Sequence, residues 1–179
     1  WKKREGYSLT YLPFIARALC SAIKDFPKLN GHIEEDKLVV FDRVNLAVAI
    51  DLDFEGLVAP IIKDADLKGV TEIARAINEL AIRARAEKLT ADDYLNATYT
   101  VSNNGSFGTL ITAPIINQPQ VAILSTDGVS KRATVIEKDG EDLIAIRPIG
   151  ILAQSFDHRA FDGAYSGAFM RRLKEILET

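Results

Sequence analysis

The sequence predicts an α+β domain, a mixed β-sheet with helices packed on one face. Three observations carry this. Apolar residues recur at helical spacing in three well-separated stretches, around 12–26, 70–87 and 163–178. Short runs rich in Val, Ile and Leu, bounded by turn residues, fall between them. The two kinds of stretch do not alternate as a regular βαβ repeat, which favours a layered domain with a largely β core over a doubly wound sheet. At 179 residues and 47% hydrophobic content the chain can bury one sizeable core, so a single domain suffices.

The elements follow in order. In "SLTYLPFIARALCSAIKDFP", Leu12, Ile15, Leu19, Ala22, Ile23 and Phe26 share one helical face, with Ser8 or Thr10 as N-cap and Pro27 as the stop. "HIEEDKLVVFDRVNLAVAIDL" reads as a strand, a turn at Glu35 and Asp36, and two further strand segments. "GLVAPIIKDADLKG" continues with a strand broken by Pro60, which favours a sheet edge or a bulge. From Val70 to Glu87, Ile73, Ala76, Ile77, Leu80 and Ala84 form an apolar stripe with Thr71 as N-cap, and the charged face opposite reads as solvated. "LTADDYL" is a short capped turn, "ATYTVSN" a strand and "NGSFGT" a glycine-punctuated turn. Residues 113–156 supply three more strands, separated by "TDG" and "KDGED", and "DGAYSGAFMRRLKEILE" closes the chain as a helix.

Composition narrows the function. A net charge of -3 and a pI near 5.5, with no block of five like charges, exclude a phosphate-backbone binder, so no nucleic-acid partner is expected. No apolar run approaches a bilayer span, so no membrane partner is expected and the chain reads as soluble. One cysteine permits no internal disulfide, and Cys20 reads as a buried core thiol in a reducing compartment. The chain opens on "WKKREGYSLT" without a Met or a signal-peptide pattern and reads as an entry in mid-protein.

The motif with chemical content is "SFDHRAFDG". His158 can take and return a proton near neutral pH, and it falls where an apolar strand gives way to a turn before a helix. Asp162, four residues on, is close enough to bond the ring or an Arg, and Gly163 lets the backbone turn tightly or approach a ligand. Spacing alone fits a capping Asp and a surface His equally well. Ser102 ends the strand "TYTVS", where its hydroxyl could serve as a hydrogen-bond donor, although the composition of "NNGSFG" by itself favours a turn-forming Ser. His32 in "LNGHIEED" reads as an exposed loop residue. There is no G-x-S-x-G, no G-x-x-x-x-G-K-[ST] and no H-E-x-x-H, and with two histidines and one cysteine no zinc site is expected.

Taken together and in order, "GLVAPIIKDAD", "TYTVSNNGSFG", "APIINQPQVAIL" and "SFDHRAFDG" resemble the catalytic domain of the dihydrolipoamide acyltransferases, the core component of 2-oxo acid dehydrogenase complexes. The family signature D-H-R-x-x-D-G is filled by Asp157, His158, Arg159, Asp162 and Gly163. The resemblance implies a chloramphenicol acetyltransferase-like sandwich that assembles as a homotrimer, with active sites between neighbouring subunits, and the trimers building a larger cage. It implies acyl transfer between dihydrolipoamide and coenzyme A, with the acetyl, succinyl or branched-chain identity of the acyl group left open. His158 maps onto the general base, its second ring nitrogen held by a carbonyl or by the Asp162 region. Ser102 maps onto the family serine that donates to the oxyanion, and Asp162 onto the carboxylate that orients the histidine loop. Coenzyme A is a substrate, the lipoyl group rides on a separate domain, and no metal is required. The implied partners are the 2-oxo acid decarboxylase and dihydrolipoamide dehydrogenase components. The implied location is bacterial or archaeal cytoplasm ahead of the mitochondrial matrix.

Residues 1–179 read as the catalytic domain without its N-terminal portion, with lipoyl and peripheral-subunit-binding domains outside this sequence. Asn104 stands where the family commonly carries an apolar residue, and Asn117 and Gln118 lie in a matching segment as either loop or ligand residues. Two rival readings are a catalytically inactive structural core subunit, expected to lack His158 or Ser102, and a stand-alone acyl-coenzyme A O-acyltransferase.

Overall fold

The computed structural model describes residues 1–179. A short helix α1 (Lys2–Glu5) precedes α2 (Leu12–Asp25), a hairpin of β1 (Gly31–Glu34) and β2 (Lys37–Val40), and β3 (Leu46–Val48). Then come β4 (Ile50–Asp51), β5 (Leu57–Val58), β6 (Ile61–Ile62), α3 (Val70–Arg85) and β7 (Tyr99–Asn103). The chain finishes with β8 (Ala122–Thr126), β9 (Ser130–Lys138), β10 (Glu141–Ile149), β11 (Leu152–Phe156) and α4 (Gly163–Glu178). This is the α+β architecture the sequence predicts.

The central sheet has five strands in the order β11-β8-β7-β3-β6. The inner pairs β8/β7 and β7/β3 are parallel, and the outer pairs β11/β8 and β3/β6 are antiparallel. Strand alternation sends Leu46, Val48, Tyr99, Val101, Ala122 and Leu124 to one face, where they join Leu19, Ile23, Ile73, Leu80, Phe169 and Leu173 of α2, α3 and α4 in a single core. All three long helices therefore cover that face. The other face carries smaller or polar side chains, among them Thr100, Ser102, Ser125 and Ser155.

Several expectations are corrected in detail. Neither Ser8 nor Thr10 caps α2, whose N-cap is Tyr11 and whose first turn holds Pro13, where proline's missing N–H costs nothing. Thr71 does not cap α3; Gly69 does, and its amide donates to the Glu72 carboxylate at 2.8 Å. The last β region holds four strands rather than three, because "IAIRPIGILAQSF" divides at Gly150 and Ile151 into β10 and β11. The hairpin between β9 and β10 turns at Asp139 and Gly140, both at positive φ (56° and 82°), as a two-residue turn requires. Pro60 precedes the edge strand β6, and its carbonyl accepts the Val48 amide.

Candidate active site

His158 is presented by a loop held at both ends. The β11 ladder runs one residue past the strand, since the Asp157 amide donates to the Val121 carbonyl at 2.7 Å, and a turn then closes from the Ala160 amide to the Asp157 carbonyl at 3.0 Å. Ala160 and Phe161 are buried, and the Phe161 ring stacks on Phe156 with centroids 5.0 Å apart. Between these anchors His158 is exposed, its ring 5.5 Å from Phe156. Neither the expected carbonyl nor Asp162 holds its second nitrogen within the chain.

Asp162 instead caps α4. Its carboxylate accepts the Tyr165 amide at 2.9 Å, which fixes the exit of the loop through the start of the helix. The acid paired with an arginine is Asp157: Arg159 donates to its two carboxylate oxygens at 3.1 Å and 2.7 Å. Those bonds hold the Asp157 carboxyl below the usual aspartate range. Gly163 meets no steric demand in the chain, because a Cβ there would touch nothing within 4 Å and no positive φ is required. Beside Asp157 opens a cleft of about 650 Å³, whose walls include Ile115, Asn117, Gln118, Gln120 and Ser155. Asn117 and Gln118 thus face the space next to the histidine loop.

Ser102 is half-buried at the end of β7, opposite Ser125 of β8. The turn after it is closed by polar bonds that the sequence does not announce. Asn104 donates to the Ser125 hydroxyl at 3.1 Å, so its side chain packs the turn through a hydrogen bond. Asp127, 4% exposed, accepts the hydroxyls of Thr109 at 2.6 Å and Thr112 at 2.7 Å, and the Thr112 amide at 3.1 Å. In sequence Asp127 is one letter of a "TDG" turn; its burial depends on residues far along the chain.

One chain does not bring His158 and Ser102 together. Ser102 is level with Ser125, whereas the histidine loop leaves the sheet at the level of Val121 and two strands away. Four residues along at about 3.3 Å each and two strand spacings of about 4.8 Å put the two positions on the order of 16 Å apart, far beyond hydrogen-bond reach.

The other titratable candidates are structural. His32 lies in β1 rather than in an exposed loop. Its Nε2 is 2.8 Å from the Ala97 carbonyl, and its ring stands edge-on to Phe41 at 4.7 Å. Cys20 is fully buried in α2, and burial pushes its thiol up to about 12, the behaviour of an inert core residue. No three His, Cys, Asp or Glu side chains are placed to hold a metal ion, and no helix is long and apolar enough to cross a membrane.

Comparison with known proteins agrees with this geometry. Residues 1–179 match the family described as 2-oxoacid dehydrogenases acyltransferase (catalytic domain). The lipoamide acyltransferase component of the branched-chain alpha-keto acid dehydrogenase complex of Bacillus subtilis is 40% identical over 179 residues, covering 100% of this chain and 41% of that protein. The dihydrolipoyllysine-residue succinyltransferase component of the 2-oxoglutarate dehydrogenase complex of Bartonella vinsonii is 38% identical, covering 99% of this chain and 42% of that protein. The chain therefore spans about four-tenths of the length of these curated relatives. Among solved structures, a probable dihydrolipoamide acetyltransferase from Listeria monocytogenes superposes with a TM-score of 0.92 at 42% identity, over 99% of this chain and 74% of that one. A chloramphenicol acetyltransferase, at 14% identity and a TM-score of 0.56 over 98% of this chain and 80% of its own, shares the fold. With sheet order, histidine loop and whole-length similarity in agreement, this chain belongs to the family of 2-oxoacid dehydrogenase acyltransferase catalytic domains.

Proposed function

We propose that the chain catalyses acyl transfer between dihydrolipoamide and coenzyme A as the core of a 2-oxo acid dehydrogenase complex. The observation that carries this reading is the mounting of His158. A complete Asp157-His158-Arg159 and Asp162-Gly163 signature sits on a rigid loop, with the imidazole free and a cleft beside it. His158 takes the proton of the coenzyme A thiol as that sulfur attacks the acyl carbonyl. The thiolate is the stronger nucleophile, so a base that accepts the thiol proton during attack assists. Ser102 donates its hydroxyl to the developing oxyanion. Collapse breaks the bond to the lipoyl sulfur, and His158 returns the proton to it.

Because His158 and Ser102 lie at different ends of one sheet, the working site pairs His158 of one copy with Ser102 of the next. The surface is suited to such assembly. The β9–β10 hairpin pairs with no other strand and exposes Val135, Ile144 and Ile146, which a two-stranded ribbon alone does not bury. The resemblance selects a homotrimer as the closed ring, and trimers as the units of a larger cage. The same reading places the lipoyl group on a separate domain. It takes the decarboxylase and dihydrolipoamide dehydrogenase components as partners, and a bacterial or archaeal cytoplasm as the location.

The test is coenzyme A-dependent acyl transfer to dihydrolipoamide by the chain and by His158→Ala. The variant is expected to lose about 10²- to 10⁴-fold in kcat while keeping its Tm and its assembly state. An inert parent would return the chain to the structural-core reading, and a variant as active as the parent would remove His158 as the base. Turnover of small alcohols without dihydrolipoamide would instead favour the O-acyltransferase.

A further inference from the structure

The Ser102 end of the sheet carries a charge that acyl transfer itself does not use. Asp127 is buried, yet every donor it meets is neutral: the Thr109 and Thr112 hydroxyls, the Thr112 amide, and the Ser125 hydroxyl at 3.5 Å. From Leu89 to Ser130 the sequence contains no Lys, Arg or His, and this stretch supplies β7, the turn after Ser102, the segment behind it and β8. Burial works to raise the Asp127 pKa, but the surrounding hydroxyls and amide outweigh it and hold the group below the ordinary aspartate value. Asp127 is therefore a carboxylate at neutral pH, solvated by dipoles and not neutralised by a cation.

Its position relative to Ser102 follows from the register. Ser102 is opposite Ser125, and Asp127 lies two residues further on the same face, bonded to the Ser125 hydroxyl. One strand spacing and two residues of rise place it about 8 Å from Ser102. If Ser102 is the oxyanion donor, the thioester carbonyl sits within reach of that field. The histidine loop contributed by the neighbouring copy adds one cation, Arg159, and its guanidinium is already bonded to both oxygens of Asp157.

We propose that Asp127 is a specificity-determining residue: its buried charge beside Ser102 selects donors with an uncharged acyl chain, acetyl or branched-chain, and repels the distal carboxylate of a succinyl donor. This rests on the acyl-transfer reading above. Overall similarity to a branched-chain and to a succinyl relative is nearly equal, so the distinction has to be local. Two like charges within about 12 Å of each other at an effective dielectric of about 20 repel enough for roughly tenfold or more in rate. The oxyanion is common to all donors, so its own repulsion cancels when donors are compared by kcat/KM.

The experiment measures kcat/KM for acetyl-, isobutyryl- and succinyl-coenzyme A with dihydrolipoamide as acceptor, in the parent chain and in Asp127→Asn. The parent is expected to prefer the uncharged donors by about tenfold or more, and Asp127→Asn to shrink that preference by about tenfold, whatever happens to the absolute rates. Because Asp127→Asn could unfold the turn, Ser106→Arg provides a second arm. Ser106 is exposed on the turn after Ser102, and the added guanidinium should narrow the preference in the same direction. A parent that uses succinyl-coenzyme A as well as acetyl-coenzyme A, or a preference unmoved by both substitutions, overturns the assignment and leaves acyl transfer standing. No turnover with any donor overturns both.

Discussion

Asp66 and Asp127 are both buried acids, and they are stabilised by different means. Asp66 accepts the Val44 amide at 3.0 Å and the Arg43 guanidinium at 3.0 Å, whereas Asp127 relies on hydroxyls and an amide. At Asp66 burial works to raise the pKa, but the Val44 amide and Arg43 outweigh it and leave the group lowered. A carboxylate whose folded pKa lies below its unfolded value, about 3.9, adds stability that is present above that pH and is lost as pH falls through the folded pKa. Asp66→Asn should therefore melt below the parent at pH 7, with the difference closing as the pH falls below about 3.9 and through the lowered folded value. Melting curves across that range check it, and a difference that persists at low pH would mean that the charge of Asp66 is not what stabilises the fold. At the proposed base, His158, the contrast is reversed: the fold leaves the ring untied while Ala160 and Phe161 fix the backbone around it.

At the scale of elements, α4 does two jobs. Phe169 and Leu173 bury its inner face against α2 and the sheet, and its first turn ends the histidine loop. Asp162 serves that second job as the N-cap, so Asp162→Ala should cost about 1 kcal/mol. For a domain of this size that is a fall of about 2–4 °C in Tm. A drop in acyl transfer should accompany it as the loop loosens, while Asp162→Asn, which also caps well, should keep both. An unchanged Tm in the alanine variant would show that the cap does not hold the helix. The β7–β8 pair positions Ser102 in a comparable way: Ser125 and Thr126 of β8 hold Asn104, and Asp127 just beyond them holds Thr112, so the neighbouring strand's end closes the turn after β7.

Across the whole molecule, the proposed roles of His158 and Ser102, set beside their separation in one chain, make activity a property of an assembly. Chains carrying only His158→Ala or only Ser102→Ala should each be nearly inactive. Mixed after dissociation and reassembly, they should recover about a quarter of the parent's sites, because random pairing of two chain types joins an intact histidine to an intact serine in that share of contacts. Activity assays on the mixture, with the unmixed variants treated identically, check this. Absence of recovery in a properly reassembled mixture would require both groups to act from one chain, which the strand register opposes.

Much of this was legible in the residue pattern. Helical periodicity identified the bodies of α2, α3 and α4, and "KDGED" located the β9–β10 turn, because spacing and turn chemistry are local properties. Helix starts were less legible: Ser8, Thr10 and Thr71 are good caps by type, but the chain direction that selects Tyr11 and Gly69 is imposed by packing. The signature around His158 was readable as a string, and a capping Asp162 was one of its two readings, while the pairing of Arg159 with Asp157 depended on which carboxylate the folded loop turned towards it. By itself the sequence determined the α+β class, the buried Cys20 and the identity of the residues that could carry acid–base and oxyanion chemistry. Only the tertiary structure decided that His158 and Ser102 stand at different ends of one sheet, that His32 is a strand residue bonded to Ala97, and that Asp127 is a buried carboxylate beside Ser102. The reason is that strand order and register join residues distant along the chain, and composition and spacing do not encode that pairing locally.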